Sequence, residues 1–286
     1  MTARPVVARA APDGAAPVRP ATVFWRDRGA LAAGALLIVL AGACWVLVVW
    51  RDGMMGQMDM TTPGGTGAVS GTDLAVFLAA WGVMMAAMML PSAIPMIALY
   101  QLVSRGETSA GRAVLPTALF AAVYVAVWLA AGVPVYGASV AVGALAATDA
   151  SRAARWLPYA LAVTLMAAGG YQFSAIKRVC LKQCQSPLTF IMSRWRAGYG
   201  PTLRLALAHA AYCVGCCWGL MMILVAAGAM SLAWVLGIAA VVFAEKILPR
   251  GEWTARAIGA LLVVLGIAVA LRPDLARLPI MLLGEN

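Results

Sequence analysis

Between Arg204 and Glu245 the chain carries no charged residue. In hydrocarbon every backbone N–H and C=O must find its partner inside the segment, so an apolar run of this kind folds as helix. It exceeds the ~20 residues of one membrane crossing. It therefore reads as two helices, 205–229 and 232–248, joined by a tight turn at Ala229, Met230 and Ser231. The rest of the chain agrees: 63% of its residues are hydrophobic and only 11% charged, where a soluble domain is nearer a quarter charged. The expected class is an all-α polytopic membrane protein.

Five further apolar runs, 31–50, 74–103, 113–140, 156–176 and 255–271, bring the expected number of spans to seven. Residues 1–29, rich in Ala, Pro and Arg, read as a disordered basic tail. Residues 30–272 form the membrane domain and 273–286 a short C-terminal tail. Ala41-Gly42-Ala43 before Cys44 is similar to a signal-peptide cleavage site, but the apolar run continues to Trp50, so an uncleaved helix is expected. With the N-terminus in the cytoplasm, sixteen of the 21 basic residues fall in inner segments. The excess of Lys and Arg inside sets this orientation, and seven spans then put the C-terminus outside, in the periplasm. The net charge of +10 thus reports orientation and gives no sign of a nucleic-acid partner.

The uncharged run also holds the chain's single histidine and three of its six cysteines: His209, Cys213, Cys216 and Cys217, followed by Met221 and Met222. At 100° per residue, His209, Cys213 and Cys216 lie within ~60° of one another, with Cys217 at the edge of the stripe. His209 and Cys216 are ~10 Å apart along the axis, so one ion does not reach both. Cys213 is one turn from either and is the shared rung of a ladder of ligands. A lone buried cysteine packs as a small hydrophobe. A histidine with three cysteines on one stripe points instead to a bound metal.

In the second span, Met84, Met85, Met88 and Met89 crowd two turns, with Met96 beyond. Pro91 and Pro95 are expected to break or kink that helix, because each removes a backbone donor. Thioether and thiolate ligands together select monovalent copper, with zinc as the fallback for His and Cys. Met54, Met55, Met58 and Met60, in the loop after the first span, suit the same ion at an outer entrance. Cys180 and Cys184 sit in a segment read as a basic cytoplasmic loop, 177–204. They are either an inner receiving pair or unrelated surface thiols. Glu245 and Lys246 read as an interfacial pair snorkelling to the headgroups, with Glu245 as a secondary candidate ligand. Trp81-Gly82-Val83-Met84-Met85 is echoed by Trp218-Gly219-Leu220-Met221-Met222. The echo fits a three-plus-three inverted-topology repeat with one extra helix.

Three stretches carry a family resemblance: Trp81 to Pro91, Tyr171 to Pro187 with Lys177, Cys180 and Cys184, and His209 to Met222 followed by Glu245-Lys246. Together they resemble a bacterial family of predicted metal-binding integral membrane proteins, a domain of unknown function. The resemblance spans residues 75 to 250. It implies metal binding in a bacterial inner membrane and supplies no reaction or catalytic residue.

The function expected is a carrier or membrane chaperone for monovalent copper, which passes its ion to a periplasmic or membrane acceptor protein. It is not expected to be an enzyme. A thiol–disulfide oxidoreductase using Cys213 and Cys216, or Cys216 and Cys217, is the alternative, and a structural membrane subunit the third. No nucleotide-binding motif is present to drive a pump.

Overall fold

A computed structural model describes residues 28–55, 71–107, 113–226 and 232–277. Nine α-helices lie among them: α1 (Arg28–Met55), α2 (Gly71–Glu107), α3 (Val114–Thr148), α4 (Ala150–Gln172), α5 (Ala175–Gln185), α6 (Pro187–Arg194), α7 (Tyr199–Ala226), α8 (Leu232–Ile247) and α9 (Gly251–Leu271). A 3-10 turn, Pro273–Arg277, follows. No strand occurs among the described residues.

Among the described residues, five helices are long and apolar enough to cross a membrane: Gly29–Arg51, Gly71–Arg105, Val114–Thr148, Tyr199–Ala226 and Gly251–Leu271. A sixth crossing exists only if α4 and α5, bent by 65° at their junction, count together. Seven spans are not supported among the described residues. Arg152 and Arg155 dilute α4, and α8, with its 16 residues, is ~24 Å long, short of the ~30 Å hydrocarbon core. α8 buries Val235, Ile238 and Val242 on one side and exposes Leu236 and Phe243 on the other.

Of the break or kink expected in the second span, a break does not occur. α2 runs unbroken through Pro91 and Pro95. Beside the prolines the Met89 carbonyl also accepts from Ser92 Oγ at 2.9 Å and from Tyr124 Oη at 3.4 Å. The loop read at 177–204 is instead largely the helices α5 and α6. Ser174 starts α5 by accepting from the Lys177 N–H at 3.1 Å, a side-chain cap for an otherwise orphaned donor. Pro187 sits in the first turn of α6, where its missing N–H costs nothing.

α7 occupies the middle, packed on α3, α4 and α5. α1 lies on α2, and α9 on α4. The α4–α9 contact is close because glycines meet: a Cβ on Gly169 would stand 2.7 Å from the Gly259 carbonyl oxygen, and one on Gly259 2.9 Å from that of Gly169. Membrane helices approach through small residues in this way, since lipid offers no hydrophobic drive to press them together. Asp149 turns the chain from α3 into α4, its carboxylate accepting from the Arg152 N–H at 2.9 Å and from Ser151 Oγ at 2.6 Å.

Side-chain contacts also give the sense of the helices. α1 begins where α2 ends, with Gly29 against Arg105. Trp81 donates to the Trp128 carbonyl and Tyr124 to that of Met89, so α2 and α3 are antiparallel. α4 starts where α3 stops. Gly169 against Gly259 and Ala162 against Gly266 make α9 antiparallel to α4. The described chain therefore begins at one end of the bundle and finishes at the other. The inverted repeat is not supported: Trp81 is buried, whereas its counterpart Trp218 faces outward.

Candidate metal centre

Helical spacing alone brings the three α7 cysteines together. Their sulfurs all lie within 4.8 Å of one another, with Cys216 and Cys217 3.3 Å apart. Each residue is 1% exposed. Cys216 Sγ also lies 3.1 Å from the Cys213 carbonyl, the back-bond to the previous turn expected of a small polar side chain on a helix.

Other helices complete the surroundings. Cys184, from α5, brings its sulfur to 3.8 Å from that of Cys216. It is half-buried and forms the outward side of the thiol group. α5 fits this closely against α7 because Gly215 has no side chain: a Cβ there would meet Cys180 Sγ at 2.8 Å. Tyr171 fixes the same turn, its hydroxyl donating to the Gly215 carbonyl at 2.5 Å. Cys180 and Cys184 do not stand free on the surface. Both pack on α7, and Cys184 joins the cluster.

Lys246 is the residue that sequence reasoning missed. Its ammonium donates to Cys213 Sγ at 3.0 Å and to Ser92 Oγ at 3.1 Å, and stands 3.9 Å from Met89 Sδ. The Tyr124 hydroxyl lies 3.0 Å from the same Cys213 sulfur. Glu245 and Lys246 do not snorkel. Glu245 is 1% exposed, paired with Lys177 Nζ at 2.6 Å and accepting from Gln172 Nε2 at 2.8 Å. The Glu245 carbonyl accepts from Gln185 Nε2 at 2.7 Å. Two consecutive charges thus face two polar groups: Lys246 the thiols, Glu245 a clamp that ties α4 and α5 to α8. Glu245 is engaged in that clamp and does not belong to the thiol group. The available signal was the position of Glu245-Lys246 at the end of a long uncharged run, where an unpartnered charge is costly.

His209 lies outside the thiol group. It is 3% exposed and held among aromatic rings, with Tyr124 stacked at 5.6 Å, Phe120 at 5.9 Å and Phe190 edge-on at 5.7 Å. Neither ring nitrogen has a hydrogen-bond partner among the described residues. Tyr124 links the two features, its ring on His209 and its hydroxyl on Cys213.

The methionines divide. Met89 reaches the cluster's lysine. Met84, Met85, Met88 and Met96 are buried in the core, and Met84 also lines an apolar crevice between α1, α2 and α8. Met221 is buried in α7, and Met222 is half-buried. Met58 and Met60, and the side chains of Met54 and Met55, lie outside the described residues.

A group of four thiols beside a buried cation and a thioether is a soft, largely buried, anion-capable site. It suits a soft cation and offers nothing to a hard one. No curated protein and no solved structure matches the chain. One family model does match, that of PpoB2, described as a copper chaperone, over residues 78–269. These residues make up two thirds of the chain and contain every member of the thiol group, so the chain belongs to the PpoB2 copper-chaperone family.

Proposed function

We propose that this protein is a membrane chaperone for monovalent copper, which it holds as cargo on Cys213, Cys216 and Cys217 and passes on through Cys184. The observation that carries this reading is the arrangement of sulfurs. In a tetrahedral thiolate site with metal–sulfur bonds of ~2.3 Å, the sulfurs stand ~3.8 Å apart. Here the separations are 3.3 Å for Cys216 to Cys217 and 3.8 Å for Cys184 to Cys216. For these two pairs a bound ion requires shifts of about half an ångström or less.

Charge favours the same ion. One cuprous ion on two or three thiolates is anionic, and a buried anion is costly unless paired. The Lys246 ammonium supplies the counter-charge against Cys213. Met89 adds a neutral soft donor at the same point. Cys184, the least buried of the four thiols, lets the ion move by stepwise exchange of one sulfur for another, so it is never free. The orientation expected from the basic residues puts the start of α1 in the cytoplasm and the C-terminus in the periplasm of a bacterial inner membrane. The acceptor is a periplasmic or membrane protein. No redox or hydrolytic step is assigned to the chain.

The test is metal per chain, by elemental analysis of protein purified under reducing conditions from copper-supplemented cells. The wild type should carry copper in preference to zinc. Cys213→Ser, which loses the thiol that meets Lys246, should lose more copper than Cys217→Ser, since a hydroxyl is a hard, weak ligand of nearly the same size. Wild-type protein without either metal, or full copper retention by Cys213→Ser, would return the α7 cysteines to packing residues.

A further inference from the structure

At the end of the bundle where α1 begins, α6 and the first turns of α7 flank an open cavity of about 460 Å³. Arg194, Arg196 and Arg204 line it together with Trp195, Pro201 and Leu205, and no carboxylate does. The guanidiniums are not equally engaged. Arg194 lies over the Phe190 ring at 4.5 Å and the Tyr212 ring at 5.8 Å, and contacts Ser193 Oγ at 3.2 Å. Arg196 and Arg204 are exposed and make no ion pair or hydrogen bond among the described residues. Three like charges around one hollow repel one another, and an anion in the hollow would relieve that repulsion.

The other wall of the cavity says what the anion is attached to. Leu205 is buried in the core. Trp195 packs its ring on Tyr100, with centroids 5.5 Å apart. Arg204 is the last charge before the uncharged run that starts at Leu205. In a membrane-spanning α7 the cavity therefore straddles the polar boundary, with guanidiniums on the headgroup side and Trp195 and Leu205 on the acyl side. Tryptophan is enriched at that depth. A small soluble anion would use the guanidiniums and leave the apolar wall without a role.

We propose that this cavity is a binding site for the phosphodiester headgroup of an anionic glycerophospholipid, with Arg196 and Arg204 on the phosphate and Trp195 and Leu205 along the glycerol and upper acyl chain. Guanidinium is suited to the task because its fork of donors matches phosphate oxygens two at a time. The site depends on the membrane reading of α7 and is independent of the copper reading. Its failure would leave the thiol cluster untouched.

The test uses the full chain in detergent micelles, with binding of phosphatidylglycerol and phosphatidylcholine followed by native mass spectrometry. Phosphatidylglycerol should bind with one tight site and phosphatidylcholine much more weakly. Each arginine contributes about fivefold at an anionic bilayer surface, so Arg196→Gln with Arg204→Gln should weaken phosphatidylglycerol roughly thirtyfold. The corresponding pair of Lys substitutions should restore most of that loss, which separates lost charge from lost fold. Arg256→Gln, elsewhere on α9, should leave binding unchanged. Equal binding of the two lipids, an equal loss in Arg256→Gln, or no loss in the double Gln variant would overturn the proposal. So would displacement of the lipid by millimolar inorganic phosphate, which would make this a site for free anions.

Discussion

Lys246 Nζ lies 3.0 Å from Cys213 Sγ, so the last turn of α8 delivers a buried cation to the thiol that α7 presents mid-helix. α8 stops at that level, whereas α7 continues another ~20 Å to its N-terminus. The first prediction comes from this contact. Lys246→Met keeps the length and apolar stem of the side chain and removes the charge. The cuprous–thiolate group then sits as an uncompensated buried anion, so copper should bind at least tenfold more weakly. Competition against a colorimetric cuprous chelator reads this directly, and unchanged affinity would mean that the lysine only fills space.

Cys184 and Cys213 should separate in kinetics. Cys184→Ser removes the half-buried outer thiol, so it should leave most of the copper bound at equilibrium and slow its transfer to an added thiol acceptor. Cys213→Ser should lose copper outright. Stopped-flow transfer from preloaded protein distinguishes the two, and equal transfer rates in Cys184→Ser and wild type would remove Cys184 from the exit path.

Met89→Leu should weaken copper binding by a few fold without abolishing it, because a thioether carries no charge and is one soft donor among several. Met85→Leu, at a buried position without a hydrogen bond to the lysine, should leave affinity unchanged. The same chelator competition checks both variants.

Glu245 and Lys177 form a buried ion pair at 2.6 Å, with both side chains nearly inaccessible. Removing one partner strands the other, at a cost of about 3–5 kcal/mol. Glu245→Gln or Lys177→Met should therefore lower the melting temperature in detergent. The double substitution should recover part of the loss, since it strands no charge. A double variant worse than either single one would show that the pair matters through something other than charge.

At the α4–α9 crossing, Gly169→Ala places a methyl group 2.7 Å from a backbone oxygen that has no room to retreat. The helices must separate, and overpacking of this kind costs about 1–3 kcal/mol. Thermal unfolding should register the loss, whereas Gly170→Ala, with open space around it, should be neutral or slightly stabilising.

The sequence by itself determined the class of the protein and the inner rank of its thiols. Long apolar runs leave only helices, and Cys213, Cys216 and Cys217 meet because a helix brings residues three and four apart to one face. Nothing beyond α7 is needed for that contact. The tertiary structure decided what surrounds it. Cys184 comes from 32 residues away and Lys246 from 33, and helical periodicity is silent about neighbours on another helix. It also decided that Glu245 and Lys246 point inward. An amphipathic charge at a span's end satisfies itself equally well in headgroups or against a buried partner, and only the positions of Lys177 and Cys213 choose between them. The expected span count is not supported for a related reason. Hydropathy measures aversion to water and says little about where a helix stops, so α8, apolar but only 16 residues long, reads in the sequence as a full crossing.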